Sequence, residues 1–593
     1  MKIKNILPPK YLFLLLVIIS CADLFHYIYL IETTPNGYEF TGLTTDEAIT
    51  FGLINSPNMN FNNPWNIEKD ENIFTTLSLT TPYIYVPLGL AANVLNMTPF
   101  WINALAKVVF NIIFFIVAYN FIGVFTKRKN TAFIIFLIVS GLSGILYIIA
   151  VPFGKNALQM IGNIFAYYEF EKVTMLHYQL YYNLPKIAGM LAIMFYARKK
   201  VFASGVLLGI TGLLYPVYGF GFGLGMISYI IAFSGTSKKA LKNIISIFVI
   251  AGVIIIPWIY TYIVNPLPFN IYSAQYSSSV WLAGIYISFA MSLVFVLYYI
   301  SRHVKLLRSK LFALFFIVFS VVFSIYQLLQ IGIGKDNHLV TEWLTSTNLI
   351  GFANVLNNFS VILEIVSVIT FLTLVFFVYK SGMKNGEKFL AIWLLLLIAA
   401  AIVSPKYVFW FPQRMLFLIR LPIALLATFG LYYFSKKYSI SVRKIIAIMI
   451  ILSIPSLVAA EIRYDRLGRE DVTLYSEKDM QALKFLKSQP QGILFSSPKI
   501  GSFGPSIANK KSVEFGWPTP IIVGDYSEKF VDYLHFYSSN YTGNKLQIME
   551  KYNVSYVFFG EREMSVSNQS FNPDNLDFLT KIYDSGARIY KVS

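Results

Sequence analysis

Apolar runs of about 20 residues recur through the first three quarters of the chain, each long enough to cross a bilayer as a helix. They fall near 11–31, 101–125, 131–153, 184–197, 201–215, 217–233, 244–264, 282–300, 311–331, 356–380, 389–404, 416–434 and 445–463. Only 13% of the 593 residues are charged, against roughly 25% in a soluble domain. The pattern predicts a polytopic α-helical membrane protein of about 13 transmembrane helices. The stretch 201–233 is split at "YPVYGFG", where Pro and Gly favour a tight hairpin over one long helix. The first run, "YLFLLLVIISCADLFHYIYLI", resembles a signal peptide, and "IISC" resembles a lipoprotein cleavage box. It continues to Ile31 and many runs follow, so it reads as an uncleaved span.

Charge orients these spans. Residues 464–593 carry 15 Lys+Arg and 15 Asp+Glu, so the whole net charge of +18 lies in residues 1–463. There it clusters in short loops: "KRK" (127–129), "RKK" (198–200), "SKKALK" (237–242), "SRHVKLLRSK" (301–310), "KSGMKNGEK" (380–388) and "SKKYSISVRK" (435–444). All fall on one side, which is then cytoplasmic, together with the N-terminus. This is a topology signal, and no nucleic-acid partner is expected. The loops 32–100, 154–183, 265–281 and 332–355 and the C-terminal region face the other side of a plasma membrane. Sequons at Asn96, Asn358, Asn540, Asn553 and Asn568 all lie on that outer side. A single cysteine, Cys21, excludes an internal disulfide and a thiolate metal site.

Two domains are expected. Residues 1–463 form the transmembrane domain, with an outside loop at 32–100. Residues 464–593 form an extracytoplasmic soluble α/β domain. In the latter, "SEKDMQALKFLKSQ" has a capping Ser476 and a helical period, "SEKFVDYLHFYSS" and "NKLQIMEKYN" read as helices, and "GILFSS", "VSYVFFG" and "RIYKV" read as strands. Its "GSFG" is too loose for a phosphate-cradling loop.

The loop 32–100 holds "TTDEAITFGLINSP", an acidic pair in a charge-poor chain. Thr44 or Thr45 can cap a short helix whose first turn carries Asp46 and Glu47, where the helix dipole favours carboxylates. Ala48, Ile49, Phe51, Leu53 and Ile54 then make a greasy helix suited to lie along a membrane surface. By spacing alone, the pair is a capped interfacial helix start, or a general base or metal ligand at a polar–lipid boundary. The charge-free "TTPYIYVPLGLAANVLNMTPFW" is expected to dip toward the membrane beside it. Arg414 in "FPQRM" and Lys186 in "YYNLPKIAGM" stand at outer starts of spans, where each could also be a snorkelling cation. His177 lies in an aromatic loop, and Lys335 and Asp336 in "GIGKDNH". Arg420 and Glu364 fall inside spans and are read as a structural pair; Lys107 and Asp23 are further charges inside spans.

An acidic pair leading an interfacial helix after the first span resembles the first-loop motif of the GT-C superfamily of polytopic glycosyltransferases. Protein O-mannosyltransferases and lipid A aminoarabinose transferases carry a similar pair. "WFPQRMLFLIRLPIALLA", and in the tail "SEKDMQALKFLKSQPQGILFSSPKIGSFGPSIANKKSVEFGWPTP", "LQIMEKYNVSYVFFGERE" and "IYDSGARIYKV", resemble uncharacterised bacterial and archaeal relatives. The resemblance implies a GT-C-like fold and an inverting transfer from a polyprenyl- or dolichyl-phosphate sugar to a glycan, lipid or protein acceptor at the outer surface. It implies Asp46 as general base, Glu47 as its support, and Arg414 and Lys186 as ligands of the donor phosphate. His177, Lys335 and Asp336 become substrate-binding candidates. The "WWDYG" of oligosaccharyltransferases is absent from the chain, which disfavours transfer of a whole oligosaccharide to asparagine. A second acidic motif is poor, with only Glu169 and Glu171 in the loop 154–183. A divalent cation is left as an option, and no metal ligand is assigned. Two other readings stand beside this one: a transporter or flippase of lipid-linked glycans, and a non-catalytic GT-C-like cell-surface assembly protein.

Overall fold

The computed structural model describes residues 8–41, 45–60, 82–141, 180–234, 237–264, 373–407, 412–451, 474–513, 526–538, 544–566 and 571–593, with a few positions between 296 and 303. The first apolar run forms α1 (Lys10–Ser20) and α2 (Ala22–Glu32), interrupted at Cys21. A short strand, β1 (Tyr38–Phe40), and α3 (Thr45–Asn55) follow in the first loop. Next come α4 (Pro82–Leu95), α5 (Pro99–Phe125), α6 (Lys129–Gly141), α7 (Leu180–Ala197), α8 (Val201–Leu214), α9 (Pro216–Ser234) and α10 (Lys238–Val264). The last long helices are α11 (Asn385–Tyr407) and α12 (Pro412–Tyr438). Among the described residues, three helical stretches are long and apolar enough to cross a membrane: Pro99–Phe125, Pro216–Ser234 and Lys238–Pro257. Exposed apolar residues run along α5 at Trp101, Leu105, Val109 and Ile113, and along α10 at Leu241, Ile245, Val249 and Val253. The four-residue spacing makes each a continuous greasy stripe of the kind lipid covers.

The tail begins with β2 (Leu474–Ser476) and α13 (Glu477–Lys487). It continues through β3 (Ile493–Phe495), α14 (Pro498–Ala508), β4 (Lys511–Ser512), α15 (Tyr526–Tyr537), α16 (Lys545–Lys551), β5 (Tyr556–Phe559), α17 (Glu561–Val566), β6 (Leu579–Asp584) and β7 (Arg588–Val592). Five strands make one mixed sheet in the order β4-β3-β5-β7-β6. β3 runs parallel to β4 and β5, and β7 runs antiparallel to β5 and β6. Phe495, Val557 and Phe559 of the sheet pack with Phe536, Tyr537 and Ile548 of the helices as a dry core. The Tyr537 hydroxyl is kept in that core because it donates to the carbonyl of Phe558 at 2.6 Å. Ser476 caps α13 as its sequence pattern predicts, its Oγ accepting from the Asp479 N–H at 3.1 Å.

The chain divides into two compact units, with one break at 461/462, and the unit that holds the tail also takes in residues from the first part of the chain. One comprises residues 1–17, 110–257 and 268–461; the other comprises 18–109, 258–267 and 462–593. In the first unit, α8 and α9 part at Tyr215, whose extended backbone (φ −160°, ψ 100°) ends α8. Trp393 of α11 is fully buried there, donating from Nε1 to the Gly221 carbonyl at 2.9 Å. A side chain on Gly225 would collide with its indole. Arg128 and Lys129 of the "KRK" loop rest 3.6 Å from the ring centroids of Tyr432 and Tyr119, and Arg302 lies 4.3 Å from that of Tyr433.

In the second unit, the first loop and the tail fold together. β1 pairs antiparallel with β2, with Tyr38 opposite Ser476 and Phe40 opposite Leu474. The Glu477 N–H donates to the Gly37 carbonyl at 2.8 Å, and Lys484 pairs with Glu39 at 3.0 Å. Helix α3 packs against α4 and α14. Its apolar residues, expected along a membrane surface, are covered by protein: Phe51, Leu53 and Ile54 are all at most 3% exposed. Each such burial contributes about 1.5–3 kcal/mol. Gly89 lets α4 approach, because a Cβ there would strike the carbonyl of Ile54. Replacing Gly89 by Leu should destabilise this packing by about 1–3 kcal/mol, read as a lowered unfolding midpoint of the purified protein. An unchanged midpoint would contradict the close approach of α3 and α4.

Candidate functional site

The acidic pair occupies the second and third positions of α3, which starts at Thr45. The first turn of a helix is where carboxylates gain from unpaired N–H groups and the dipole. Thr44 and the side chains of Asp46 and Glu47 lie outside the described residues. What the structure adds is the setting of the helix. From Thr50 to Asn55 every residue of α3 is buried, so protein covers the half of the helix that follows the acidic turn.

The other end is held by amides. Asn55, 5% exposed, donates from Nδ2 to the Pro505 carbonyl at 2.9 Å and to Asn509 Oδ1 at 3.3 Å. Its Oδ1 accepts from Asn58 at 2.8 Å, and Asn58 Oδ1 accepts from Asn93 at 2.9 Å. Asn509 closes the set by donating to the Asn58 carbonyl at 3.3 Å. It ends α14 in the left-handed region at φ 54°, a conformation asparagine tolerates. Aromatic rings run alongside. Tyr27 of α2 meets Phe100 of α5 at 5.1 Å, Phe100 meets Phe51 at 6.0 Å, Phe51 meets Phe503 of α14 at 6.2 Å, and Phe503 meets Tyr475 of β2 at 5.9 Å.

Two buried lysines sit among helices. Lys107 of α5 is 2% exposed and donates to the Tyr27 hydroxyl at 2.9 Å. Lys186 belongs to the first unit. Helix α7 starts at Leu180, so Lys186 stands about 9 Å along it, well inside the span start that its sequence suggests. It is 6% exposed, with the ring centroids of Tyr218 and Phe114 at 5.3 and 6.0 Å. One turn earlier, Asn183 donates to Asn111 Oδ1, while its own Oδ1 is buried without a hydrogen-bond partner among the described residues. Arg414 is the third residue of α12, in its first turn as expected; its side chain lies outside the described residues. So do His177, Lys335, Asp336 and Glu364, and the side chains of Asp23 and Arg420. Asp46 and Glu47 thus share one helical turn of the second unit, and Lys186 and Arg414 belong to the first.

The tail hides two carboxylates that its sequence pattern does not single out. Glu563 is fully buried, accepting from the Ser497 N–H at 2.7 Å and the Gly560 N–H at 3.0 Å. Asp479 is 7% exposed, and its Oδ1 is buried without a partner among the described residues. Burial raises both carboxyls above the usual range; hydrogen bonds from Ser476 and the Glu561 amide to Asp479, and from Ser497 to Glu563, offset part of this. Among the described residues, no group of three or more His, Cys, Asp or Glu could hold a metal ion. The adjacent carboxylates of Asp46 and Glu47 would fill at most part of a divalent shell, which wants several oxygens.

Fold comparison finds the chain similar to solved structures of the Archaeoglobus fulgidus oligosaccharyltransferase. The form tethered to an acceptor peptide containing the NVT sequon is 12% identical, with 98% of this chain and 74% of that chain covered and a TM-score of 0.44. The archaeal oligosaccharyltransferase AglB from Archaeoglobus fulgidus, in complex with an inhibitory peptide and a dolichol-phosphate, is 13% identical, with the same coverage and TM-score. A complex with Zn and sulfate is 12% identical, covering 98% of this chain and 73% of that one at a TM-score of 0.44. No family model and no curated protein matches the chain.

The raised carboxyls carry a pH dependence with a definite sign. A carboxyl whose folded pKa exceeds its unfolded value stabilises the fold at low pH, and that stability is lost as pH rises through the shifted pKa. The tail should therefore unfold at a higher midpoint on acidification from neutrality into the window between the ordinary carboxylate pKa of about 4 and the raised values. Asp479→Asn should flatten this slope and raise the midpoint at pH 7, measured by intrinsic fluorescence of the full chain. A slope that survives Asp479→Asn and Glu563→Gln together would rule out these two groups as its origin.

Proposed function

We propose that this protein is an integral-membrane glycosyltransferase of about 13 spans, moving a sugar from a polyprenyl- or dolichyl-phosphate donor to an acceptor on the extracytoplasmic face. The observation that carries the reading is the acidic first turn of α3, on a loop folded onto the tail. The β1–β2 pairing requires Tyr38 and Ser476 to share one side of any membrane, which supports an even number of crossings between them and fits the outside assignment of both. The expected division into a transmembrane domain (1–463) and an outside α/β domain (464–593) is kept as a topological one.

In this mechanism Asp46 accepts the proton of the acceptor hydroxyl. The acceptor oxygen attacks C1 of the sugar from the face opposite the phosphate. The new C1–O bond forms as the C1–O(phosphate) bond breaks, with inversion at C1, and the electron pair leaves on the lipid phosphate. Asp46 then returns its proton to solvent. Glu47 supports Asp46, Lys186 and Arg414 stabilise the charge growing on the phosphate, and His177, Lys335 and Asp336 contact the substrates.

Asp46→Asn should abolish sugar transfer by membranes supplied with polyprenyl-phosphate sugar, by at least about 100-fold, while the folded protein persists. Full activity in that variant would remove Asp46 as the base. Transport of a lipid-linked glycan with no transfer by the wild-type protein would replace the enzyme reading with a flippase. In a Cys21→Ser background, a cysteine introduced at position 540 should react with an impermeant maleimide on intact cells. Labelling only after permeabilisation would invert the topology.

A further inference from the structure

The acidic pair stands in the first turn of a helix whose other end is bonded to the tail. Asn55 lies about 13 Å along α3 from Asp46. A rigid helix of that length transmits any shift at Asn55 to Asp46 almost undiminished. The partners of Asn55 are the Pro505 carbonyl and the Asn509 side chain. Pro505 lacks an N–H, yet its carbonyl is available, and it falls within three residues of the helix end, where carbonyls lose their intrahelical partners. Asn55 thus satisfies a helix-end carbonyl of α14 while Phe51, one turn back, packs on Phe503. Both contacts lie on the same α3–α14 seam. Gly89 lets α4 press on the Ile54 carbonyl. Helix α3 is therefore held by both α4 and α14, and the tail supplies the second.

We infer that the C-terminal domain is the positioning element of the proposed active site: the Asn55–Pro505–Asn509 contact and the Phe51–Phe503 packing set where the acidic head of α3 stands. This rests on the functional reading above. Asn55 touches no reacting atom and acts only through α3. Its loss lowers the turnover of bound substrate, because misplacing a base by even about 1 Å can cost 100-fold in rate. Donor binding, which the inference leaves to other residues, stays as it is.

The test uses the full chain purified in nanodiscs, with hydrogen exchange of residues 45–55 and transfer kinetics measured on the same samples. Two variants are compared. Asn55→Ala removes the amide, and Asn509→Gly keeps the left-handed backbone while removing its side-chain bonds to Asn55 and Asn58. Each should speed exchange of the α3 amides about tenfold. Each should also lower kcat at least about tenfold with the donor KM within twofold. Their double variant should fall well short of the product of the two losses, because both cut one network. Unchanged exchange in both variants overturns the grip. Faster exchange with unchanged kcat overturns the positioning role. Full activity of Asp46→Asn would instead overturn the functional reading, and the exchange result would still decide whether the tail holds α3.

Discussion

The contact between Phe51 and Phe503 joins residues more than 400 positions apart, and much of the second unit is arranged around it. On one side, Phe100 and Tyr27 carry the aromatic packing into α5 and α2. On the other, Tyr475 carries it into the strand that pairs with β1. Offset and edge-on ring pairs of this kind contribute about 0.5–1.5 kcal/mol each beyond their buried area. Their larger effect is geometric. A short loop strand, a helix with an apolar side and the C-terminal sheet become one body, and the acidic pair belongs to it through the first turn of α3.

The sequence pattern reached some of this and missed the rest for identifiable reasons. The helix start before Asp46, the Ser476 cap, the strands at "ILF" and "YVFF", and the break at Tyr215 all have local causes, and all are read correctly from a few residues. Helix α14 was not legible. "PKIGSFGPSIA" has two interior glycines and an interior proline, which oppose a helix by propensity. Tertiary packing wins there: Phe503 and Ile500 are buried, Pro498 starts the helix and Asn509 ends it. Strand β1 has only three residues and no alternation to read, since its partner lies at the far end of the chain. The apolar side of α3 predicts an apolar neighbour but does not specify lipid or protein. Of the candidate site, residue types were legible and mutual placement was not. Asn55 looks like a turn residue in "INSPN", and only the fold reveals its partners.

Buried cations follow the same logic of local satisfaction. Lys107 is housed by a tyrosine hydroxyl and its ring, and Lys510 in the tail by the Gln489 and Ala508 carbonyls at 3.0 and 3.3 Å. These lysines are structural as far as their contacts describe them. Lys186 of the first unit is likewise buried, with the rings of Tyr218 and Phe114 beside its ammonium.

The pairing of β1 with β2 also bears on how the protein is made. Phe40 leaves the ribosome about 430 residues before Leu474, a delay of roughly 20–90 s at ordinary synthesis rates. Throughout that interval Phe51, Leu53 and Ile54 lack one of the surfaces that bury them. The first loop must wait, apolar and incomplete, until the tail has been made. Such distant closure is slow and aggregation-prone in solution. The apolar side of α3 therefore fixes an order of events: the core around Phe51 closes only after the last quarter of the chain has been synthesised.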